Sequence, residues 1–361
     1  MTLVTSVHKY QITLTDGNAS ASASLDGQTT ANCVPFITSR ITTVAATADA
    51  FHNYCVEAYF SGTTVVAHTT GTDREMIVEV TVVEFAADVV QSGTYSLAVT
   101  TGTSTTDTLD PVVSLTSAFL YHTYRTGSGW DGFDSHAVRG DITATNTVTF
   151  DRDAADCAVT SGRWWTIEAQ SGEFDVERFG LSHATTETDQ DATIASVTMA
   201  KTAIFGSYKC SGTGDDCSRG TVDVALTTQT NVNMQRVSGS GSVDLAGFAV
   251  EFSGNENVYR DTILESVKPV SPSTDTWTGA VTIADSMVHA AGHTGNWVSG
   301  SFTGTGSVNV PDAFTAWTIT GTEETTATHA TGTGDTAPND LSWEVIEWDV
   351  GAAARRVMVI S

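Results

Sequence analysis

The sequence predicts an all-β protein made of four tandem β-sandwich-like modules of about 84 residues each. Three observations lead to this fold class. Thr, Ser, Val, Ala and Gly dominate the chain, whereas strong helix formers are scarce. Short stretches of alternating apolar and polar residues are interrupted roughly every 8–12 residues by Gly, Asp or Asn, which is typical of antiparallel sheets. Finally, several positions recur four times at one period.

The clearest repeated feature is a glutamate between two apolar residues. It occurs as Glu84, Glu168, Glu251 and Glu347. Three further sets, with one member in each module, recur at nearly the same interval; they are Leu14, Leu97, Leu181 and Leu264; Phe36, Phe119, Ile204 and Val288; and Val65, Val148, Val232 and Trp317. Because separate sets keep one period, we interpret the chain as a tandem array and expect the set that begins with Phe36 to be buried.

The repeat divides the chain into modules at residues 1–90, 91–174, 175–258 and 259–361. Each module contains about six short alternating stretches, and six short strands are best stabilised as two packed sheets. The connections between modules are short, which favours a stiff rod over flexibly linked beads. The fourth module carries an insertion at 321–340, which we expect to form a long surface loop because it has no apolar periodicity.

The charge balance excludes several classes of partner. The chain has 42 Asp and Glu against 16 Lys and Arg, a formal net charge of −26. A field of this sign repels phosphate backbones and anionic lipids, so we expect no nucleic-acid partner. No long apolar run and no classical secretion signal are found, so we expect no membrane insertion. These features predict assembly in the cytoplasm, or export by a route without a classical signal.

Motifs typical of enzymes are not found. The sequence lacks the common phosphate-binding, nucleophile-elbow and zinc-protease motifs. The repeated glutamate has no second carboxylate or base at a repeated place, and we expect it to be exposed or paired with Arg152 or Arg236. His289 and His293 share one strand face, but without a third ligand a polar surface is favoured over a metal site. We therefore predict no catalytic residue, no metal and no cofactor.

Two cysteines bracket an acidic tip in the third module. Cys210 and Cys217 are close enough in sequence for a disulfide across a hairpin, whereas the other three cysteines are typical of small buried hydrophobic residues. The tip carries Asp215 and Asp216. Two carboxylates fall short of the about six to eight oxygen ligands that Ca²⁺ takes, so a solvated turn is the simpler interpretation.

Five of the eight tryptophans lie in the fourth module. Trp317 and Trp348 replace apolar residues of the other modules and are predicted to be core residues. Trp277 and Trp297 have no such counterpart and lie near Gly-rich turns. Two hypotheses remain for this pair: ordinary core packing, or an exposed platform for a host surface glycan or a protein partner.

Several runs resemble repeats in structural proteins of tailed bacteriophages and related viruses. They are Val82–Phe85 with Val90–Gly93, and Ala118–Arg125 followed by Thr147–Arg152. The resemblance implies a non-enzymatic virion component, such as a tail fibre, spike or head decoration. The partners that this resemblance implies are other virion proteins and copies of the chain itself. A component that also attaches to the host would have a host surface glycan or protein as a further partner. The alternative is a subunit of a microbial extracellular filament or a surface adhesin.

Overall fold

The chain is all-β and built from repeated modules, as the sequence predicts. The regular elements that fall wholly within the described residues are β-strands and single 3-10 turns. The computed structural model describes residues 2–42, 55–71, 75–98, 101–112, 114–127, 136–154, 159–211, 222–236, 241–265, 273–290, 315–329 and 339–350.

The first two modules contain six strands each. Those of the first module are β1 (Val4–Leu14), β2 (Ser20–Ser24), β3 (Cys33–Ile41), β4 (Glu57–Ser61), β5 (Thr64–His68) and β6 (Met76–Phe85). Those of the second are β7 (Val90–Leu97), β8 (Ser104–Thr108), β9 (Ala118–Thr126), β10 (Arg139–Ala144), β11 (Thr147–Asp151) and β12 (Val159–Glu168).

The last two modules follow the same order. The third contains β13 (Phe174–His183), β14 (Asp189–Thr193), β15 (Thr202–Ser211), β16 (Asp223–Thr228), β17 (Asn231–Gln235) and β18 (Ser242–Phe252). The fourth contains β19 (Asn257–Glu265), β20 (Ser273–Thr276), β21 (Ser286–Ala290), β22 (Thr315–Gly321), β23 (Glu324–His329) and β24 (Asn339–Glu347).

Every module has the same sheet topology. The first, sixth and third strands form an antiparallel sheet with the sixth strand in the centre, which we name the long sheet. The second, fifth and fourth strands form a second antiparallel sheet with the fifth in the centre, the short sheet. The central strand of a long sheet is buried along most of its length, as in β18. A long sheet therefore packs against other layers on both faces.

The repeated glutamate occupies one equivalent place in all four modules, near the end of the sixth strand. Its partners across the sheet are equivalent too: Glu84 pairs with Cys33, Glu168 with Ala118, Glu251 with Thr202 and Glu347 with Ser286. The sequence period is therefore in structural register at this position.

The glutamate fixes the turn that leads into the third strand. The backbone N–H of Thr29 donates to Glu84 Oε1 at 2.9 Å, and Thr198 donates to Glu251 and Thr282 to Glu347 at 2.8 Å. The carbonyl of each of these threonines accepts the N–H three residues later, which closes the turn. The carboxylate satisfies a backbone donor that the turn leaves unpaired.

The structure gives Arg152 and Arg236 a different role from the predicted pairing with the glutamate. Arg152 Nε and Nη2 donate to the carbonyls of Gly102 and Ala98, both at 3.0 Å. Arg236 likewise donates to backbone carbonyls, those of Glu187, Gly241 and Ala184. A guanidinium has five N–H donors in a fixed planar arrangement, so a single arginine can bond several backbone carbonyls of a loop at once.

The four modules close into a ring, and the prediction of a rod is wrong. A hydrogen bond crosses each junction between consecutive modules: Ile37 N–H donates to Tyr121 Oη at 2.9 Å, Val176 N–H to the Thr116 carbonyl at 2.8 Å, and Ile204 N–H to Glu344 Oε2 at 2.8 Å. A fourth bond joins the last module to the first, where Trp317 N–H donates to Thr38 Oγ1 at 3.0 Å. Val4 also forms a parallel bridge with Val350. Short links are compatible with a rod or a ring, and packing of the fourth module on the first decides between them.

Three junctions share one hydrogen-bond arrangement. A hydroxyl on the third strand of one module bonds the backbone of the fourth strand of the preceding module. The pairs are Thr38 with Trp317, Thr123 with Ala58, and Ser207 with Gly140, at 2.7–3.2 Å. Because the same strands meet through the same group, successive modules are related by nearly the same rotation.

Aromatic side chains fill the centre of the ring. Phe36, Tyr121, Phe205 and His289 are equivalent residues of the third strands. The Phe36 ring centroid lies 4.6 Å from that of Tyr121 and 6.1 Å from that of Phe205, and Phe205 stacks on His289 at 4.8 Å. One hydrophobic core consequently runs through all four modules. A smaller cluster around Trp343 lies within the fourth.

The burial expected for the set that begins with Phe36 is confirmed for three of its members. Phe36, Phe119 and Ile204 are buried, whereas Val288 is only partly buried. The strand pairing also makes Phe36 equivalent to Tyr121, so this set is out of register by one or two residues. A strand that is buried on both faces is apolar at consecutive positions. The sequence alone therefore does not show which of these neighbouring residues are equivalent between modules, and the alignment was displaced.

The fourth module departs from two expectations. Residues 324–329 of the predicted loop form β23, because threonines favour extended backbone even without apolar alternation. The repeat predicts that Trp317 is the counterpart of Val65, which lies on the fifth strand of its module. Trp317 instead lies on β22, the fourth strand, and the residue equivalent to Val65 is Thr325. The additional chain length separates β21 from β22, in residues 291–314, which lie outside the described residues.

A glycine makes room for an indole in the second module. A Cβ at Gly93 would lie 2.5 Å from Trp164 Cζ2, and Trp164 is held in place because its Nε1 donates to Asp107 at 2.9 Å. We expect Gly93→Ala to lower the free energy of unfolding by about 1–3 kcal/mol through overpacking. Urea denaturation measures this. Gly180→Ala is the matched control, because its Cβ would meet only the Leu245 carbonyl at 3.6 Å; equal losses in both variants would contradict the explanation.

Candidate functional site: an acidic pocket where module ends meet

A cavity of about 210 Å³ lies where the ends of several modules meet. Its walls come from Thr2 and Leu3, from residues 171–173 in the link between the second and third modules, from the link between the third and fourth, and from Asp349 after β24. We name it the acidic pocket, because Glu173, Glu256 and Asp349 line it. The sixth strands end on this side of the modules, which brings links distant in sequence together.

Glu256 is the buried carboxylate of the acidic pocket. Its side chain is only 3% exposed, and Oε2 receives no hydrogen bond of regular geometry. A Cβ at Gly254 would lie 2.5 Å from this oxygen, so the absence of a side chain at Gly254 leaves the space that the carboxylate occupies. An unpaired buried carboxylate oxygen is costly in a folded protein.

The electrostatic surroundings of Glu256 leave its charge poorly compensated. Burial raises the pKa of Glu256; its own backbone N–H opposes this, Asp349 raises the pKa further, and Lys201 and the Gly254 N–H oppose it in part. The Lys201 ammonium donates to the carbonyls of Gly254 and Glu256 and to Asn257 Oδ1 rather than to the carboxylate. The three carboxylates therefore give the acidic pocket a negative potential, and none of the described cations contacts Oε2 directly.

The walls of the acidic pocket are held by the links themselves. Glu173 Oε2 accepts the N–H of Ser171 at 2.8 Å, and Asp349 Oδ2 accepts Asn255 Nδ2 at 2.9 Å. Ser253 Oγ donates to the Gly172 carbonyl at 2.6 Å, which ties the two links together. Local hydrogen bonds therefore position the carboxylates of Glu173 and Asp349.

Sequence analysis missed this site because it treated the links as spacers. Ser171-Gly172-Glu173 and Ser253-Gly254-Asn255-Glu256 both place a Ser-Gly pair just before a glutamate. That recurrence in two links was a usable signal, since the period itself aligns them.

A second buried carboxylate holds the junction of the first and second modules. Glu57 is 1% exposed, and its oxygens lie 3.1 Å from Arg125 Nε and 2.9 Å from Arg163 Nε. Ser161 Oγ donates to it at 2.6 Å, and Arg163 lies over the ring of Tyr59 at 4.9 Å from its centroid. Because the carboxylate has two cationic partners and a hydroxyl, this cluster is self-contained and stabilises the junction.

Glu344 has the corresponding role between the third and fourth modules. Burial alone would raise its pKa, but Arg260 Nε at 3.1 Å, His289 Nε2 at 3.2 Å and the Ile204 N–H outweigh burial, so the pKa lies below its usual value near 4.5. His289 is buried in this cluster, and the expectation of a polar strand surface is wrong for it. His293 lies outside the described residues.

Trp277 lies in a core position. It is 9% exposed, and its ring centroid is 5.4 Å from that of Trp343. Its backbone N–H donates to the Glu323 carbonyl. The equivalent bond is made by Leu25, Leu109 and Ile194 in the other modules, so Trp277 does have apolar counterparts. This position fits the core-packing hypothesis. Trp297 lies outside the described residues.

The predicted disulfide remains a prediction. Cys210 is buried on β15, but Cys217, Asp215 and Asp216 lie outside the described residues. Cys33 is buried as expected, and its thiol donates to the Thr29 carbonyl at 3.4 Å. Cys55 is buried as well.

Within the residues that the structure describes, no three His, Cys, Asp or Glu side chains form a group suited to holding a metal ion. Nor does the described part of the chain contain a helix of the length and apolarity needed to cross a bilayer. Neither the protein-family models nor the curated proteins with which the sequence was compared include one that matches it.

Removing the buried carboxylate of the first junction tests its structural role. Glu57→Gln leaves two guanidinium groups without a counter-charge, and we expect it to lower the free energy of unfolding by about 3 kcal/mol. Asp141→Asn is the matched control, because the Asp141–Arg178 pair also crosses a junction but is about one quarter exposed on both sides. We expect about 1 kcal/mol or less for it. Chemical denaturation followed by tryptophan fluorescence measures both, and similar losses would contradict the assignment.

The lowered pKa of Glu344 makes the third junction sensitive to acid. Its folded-state pKa lies below the unfolded value, so its contribution is present above about pH 4.5 and disappears as the pH falls through the folded-state pKa. We expect the stability of Glu344→Gln to fall less steeply than that of the parent chain between about pH 5 and pH 3. Glu323→Gln, which alters an exposed carboxylate of the same module, should leave the profile unchanged. Parallel profiles for the parent chain and Glu344→Gln would refute the effect.

Proposed function

We propose that the protein is a non-enzymatic structural component of a virus particle, of the fibre, spike or capsid- and tail-decoration type. The observation that carries the proposal is a set of equivalent, outward-facing sheet edges on one closed ring. Such a body offers similar contacts in several directions, which suits a part built into a larger assembly. The resemblance of its repeats to phage structural proteins supports the same conclusion.

The edges in question are the second strands of the short sheets. Within the part of the chain that the structure describes, β2, β8 and β14 each pair with a single neighbour, the fifth strand of their module. Their residues alternate between exposed and half-buried. Such an edge presents unpaired backbone donors and acceptors to another chain. The junction hydrogen bonds keep these edges in fixed relative positions.

β2 differs from the other edges in carrying no charge. β8 contains Asp107, β14 contains Asp189 and Asp191, and β20 contains Asp275, whereas β2 consists of Ser and Ala alone. Charged side chains on an edge oppose pairing with another strand. β2 is therefore the edge best suited to pairing with a second copy of the chain or with another virion protein.

A subunit of a microbial extracellular filament is the alternative, because β2 would serve equally in end-to-end pairing of copies. The two functions differ in where the protein is found: in purified particles for a virion component, or in cell-surface filaments for the alternative. Electron microscopy with an antibody against the chain separates them, and labelling of filaments in cells that release no particles would overturn the virion proposal.

The uncharged edge gives a direct test of assembly. Ser22→Lys places a charge at the centre of β2, and we expect it to reduce self-association, or incorporation into particles lacking the protein, by about tenfold or more. Thr106→Lys is the matched control, since Thr106 has the equivalent exposed place on β8. Sedimentation velocity and a particle-binding assay measure the effect. A parent chain that stays monomeric at high concentration and does not bind such particles would contradict the prediction.

A further inference from the structure

We infer that the acidic pocket binds a cationic organic group, a guanidinium or a primary ammonium. The inference goes beyond the structural function and does not depend on it. It rests on two independent features of the acidic pocket: a cavity lined by three carboxylates, and a carboxylate oxygen of Glu256 that is buried without a regular hydrogen bond.

The buried oxygen indicates that a donor belongs in the cavity. A carboxylate at 3% exposure is normally matched by a cation or by several hydrogen bonds. Lys201 lies nearby, but its ammonium donates to the carbonyls of Gly254 and Glu256 and to the side chain of Asn257. A ligand N–H⁺ in the cavity would give the Glu256 carboxylate the charged partner that it lacks among the described residues, and charge-assisted bonds of this kind are among the strongest in proteins.

The size of the cavity favours a group of several atoms over a bare metal ion. Ca²⁺ takes about six to eight oxygens at about 2.3–2.6 Å, which requires ligands that converge tightly. A volume of about 210 Å³ is smaller than the roughly 300–1,000 Å³ of pockets for drug-sized ligands. It matches the end of a long cationic side chain or a small amine. A planar guanidinium also pairs with a carboxylate through two parallel bonds.

The cationic group has two potential sources. One is another molecule, either a free amine or a side chain of a neighbouring protein. The other is the chain itself, since Arg355 and Arg356 follow Asp349 closely in sequence, although both lie outside the described residues. The chemistry at Glu256 is the same for either source, and a single set of variants separates them.

The test uses butylguanidinium as the probe and butylurea as its neutral counterpart of similar shape. Isothermal titration calorimetry on the full chain should show binding of butylguanidinium alone. Glu256→Gln should weaken it by about tenfold or more, as expected for loss of one charged hydrogen bond. Asp349→Asn should weaken it less. Asp16→Asn alters an exposed carboxylate beyond the end of β1 opposite to Leu3 and should leave binding unchanged. Thermal melts check that each variant is folded.

The same titration with the Arg355→Ala/Arg356→Ala variant identifies the source. Tighter binding of butylguanidinium in this variant shows that the chain's own arginines compete for the cavity, and equal binding shows that they do not. Failure of butylguanidinium to exceed butylurea in both the parent chain and this variant overturns the inference. Equal affinity of Glu256→Gln and the parent chain, or displacement of the probe by stoichiometric CaCl₂, overturns it as well.

Discussion

The structure depends on covering both faces of four small three-stranded sheets. A sheet of three strands has a central strand with two faces, and in each module the short sheet covers only part of the long one. The third strands meet at the ring axis, where Phe36, Tyr121, Phe205 and His289 pack together. Each module therefore packs apolar surface against its neighbours, as in repeat proteins generally. Closing the ring removes the uncovered ends that a rod of the same modules would leave.

Buried polar groups then set the angle between modules. Apolar packing alone is non-directional, whereas the Thr38, Thr123 and Ser207 hydroxyls bond one particular strand of the preceding module. At the remaining junction Ser342 Oγ donates to Asp223 at 2.8 Å and Glu344 receives the Ile204 N–H. That junction thus has its own polar contacts, which explains how the ring tolerates a departure from the repeat.

Local sequence patterns predicted the all-β class and the repeat, because strand alternation and the recurrence of a glutamate between apolar residues are visible in the sequence. The ring was not predictable in the same way. Residues such as Phe36 and Tyr121 look like ordinary inward-facing strand residues, and their meeting depends on chain segments 84 or more residues apart. The continuous apolar run Ala246–Val250 was a signal of a doubly covered strand. The acidic pocket escaped prediction because its residues come from two links and from the segments before β1 and after β24, none of which is distinctive alone.

In a ring whose modules share one strand order, surface departures from the repeat mark the places where we propose that partners bind. The core positions tolerate Leu25, Leu109, Ile194 or Trp277 at one place because any apolar side chain of suitable size fills it. Surface differences have no such explanation. Of the three links between modules, two have a Ser-Gly pair before a glutamate. Among the second strands of the four modules, β2 is the one that carries no charged residue. Neither feature belongs to the apolar core of the ring. Each leaves polar groups for a partner: the Glu256 carboxylate in the acidic pocket and the backbone groups along the edge of β2. The fold of the ring requires neither feature, and we therefore propose both places as contacts with groups outside the chain.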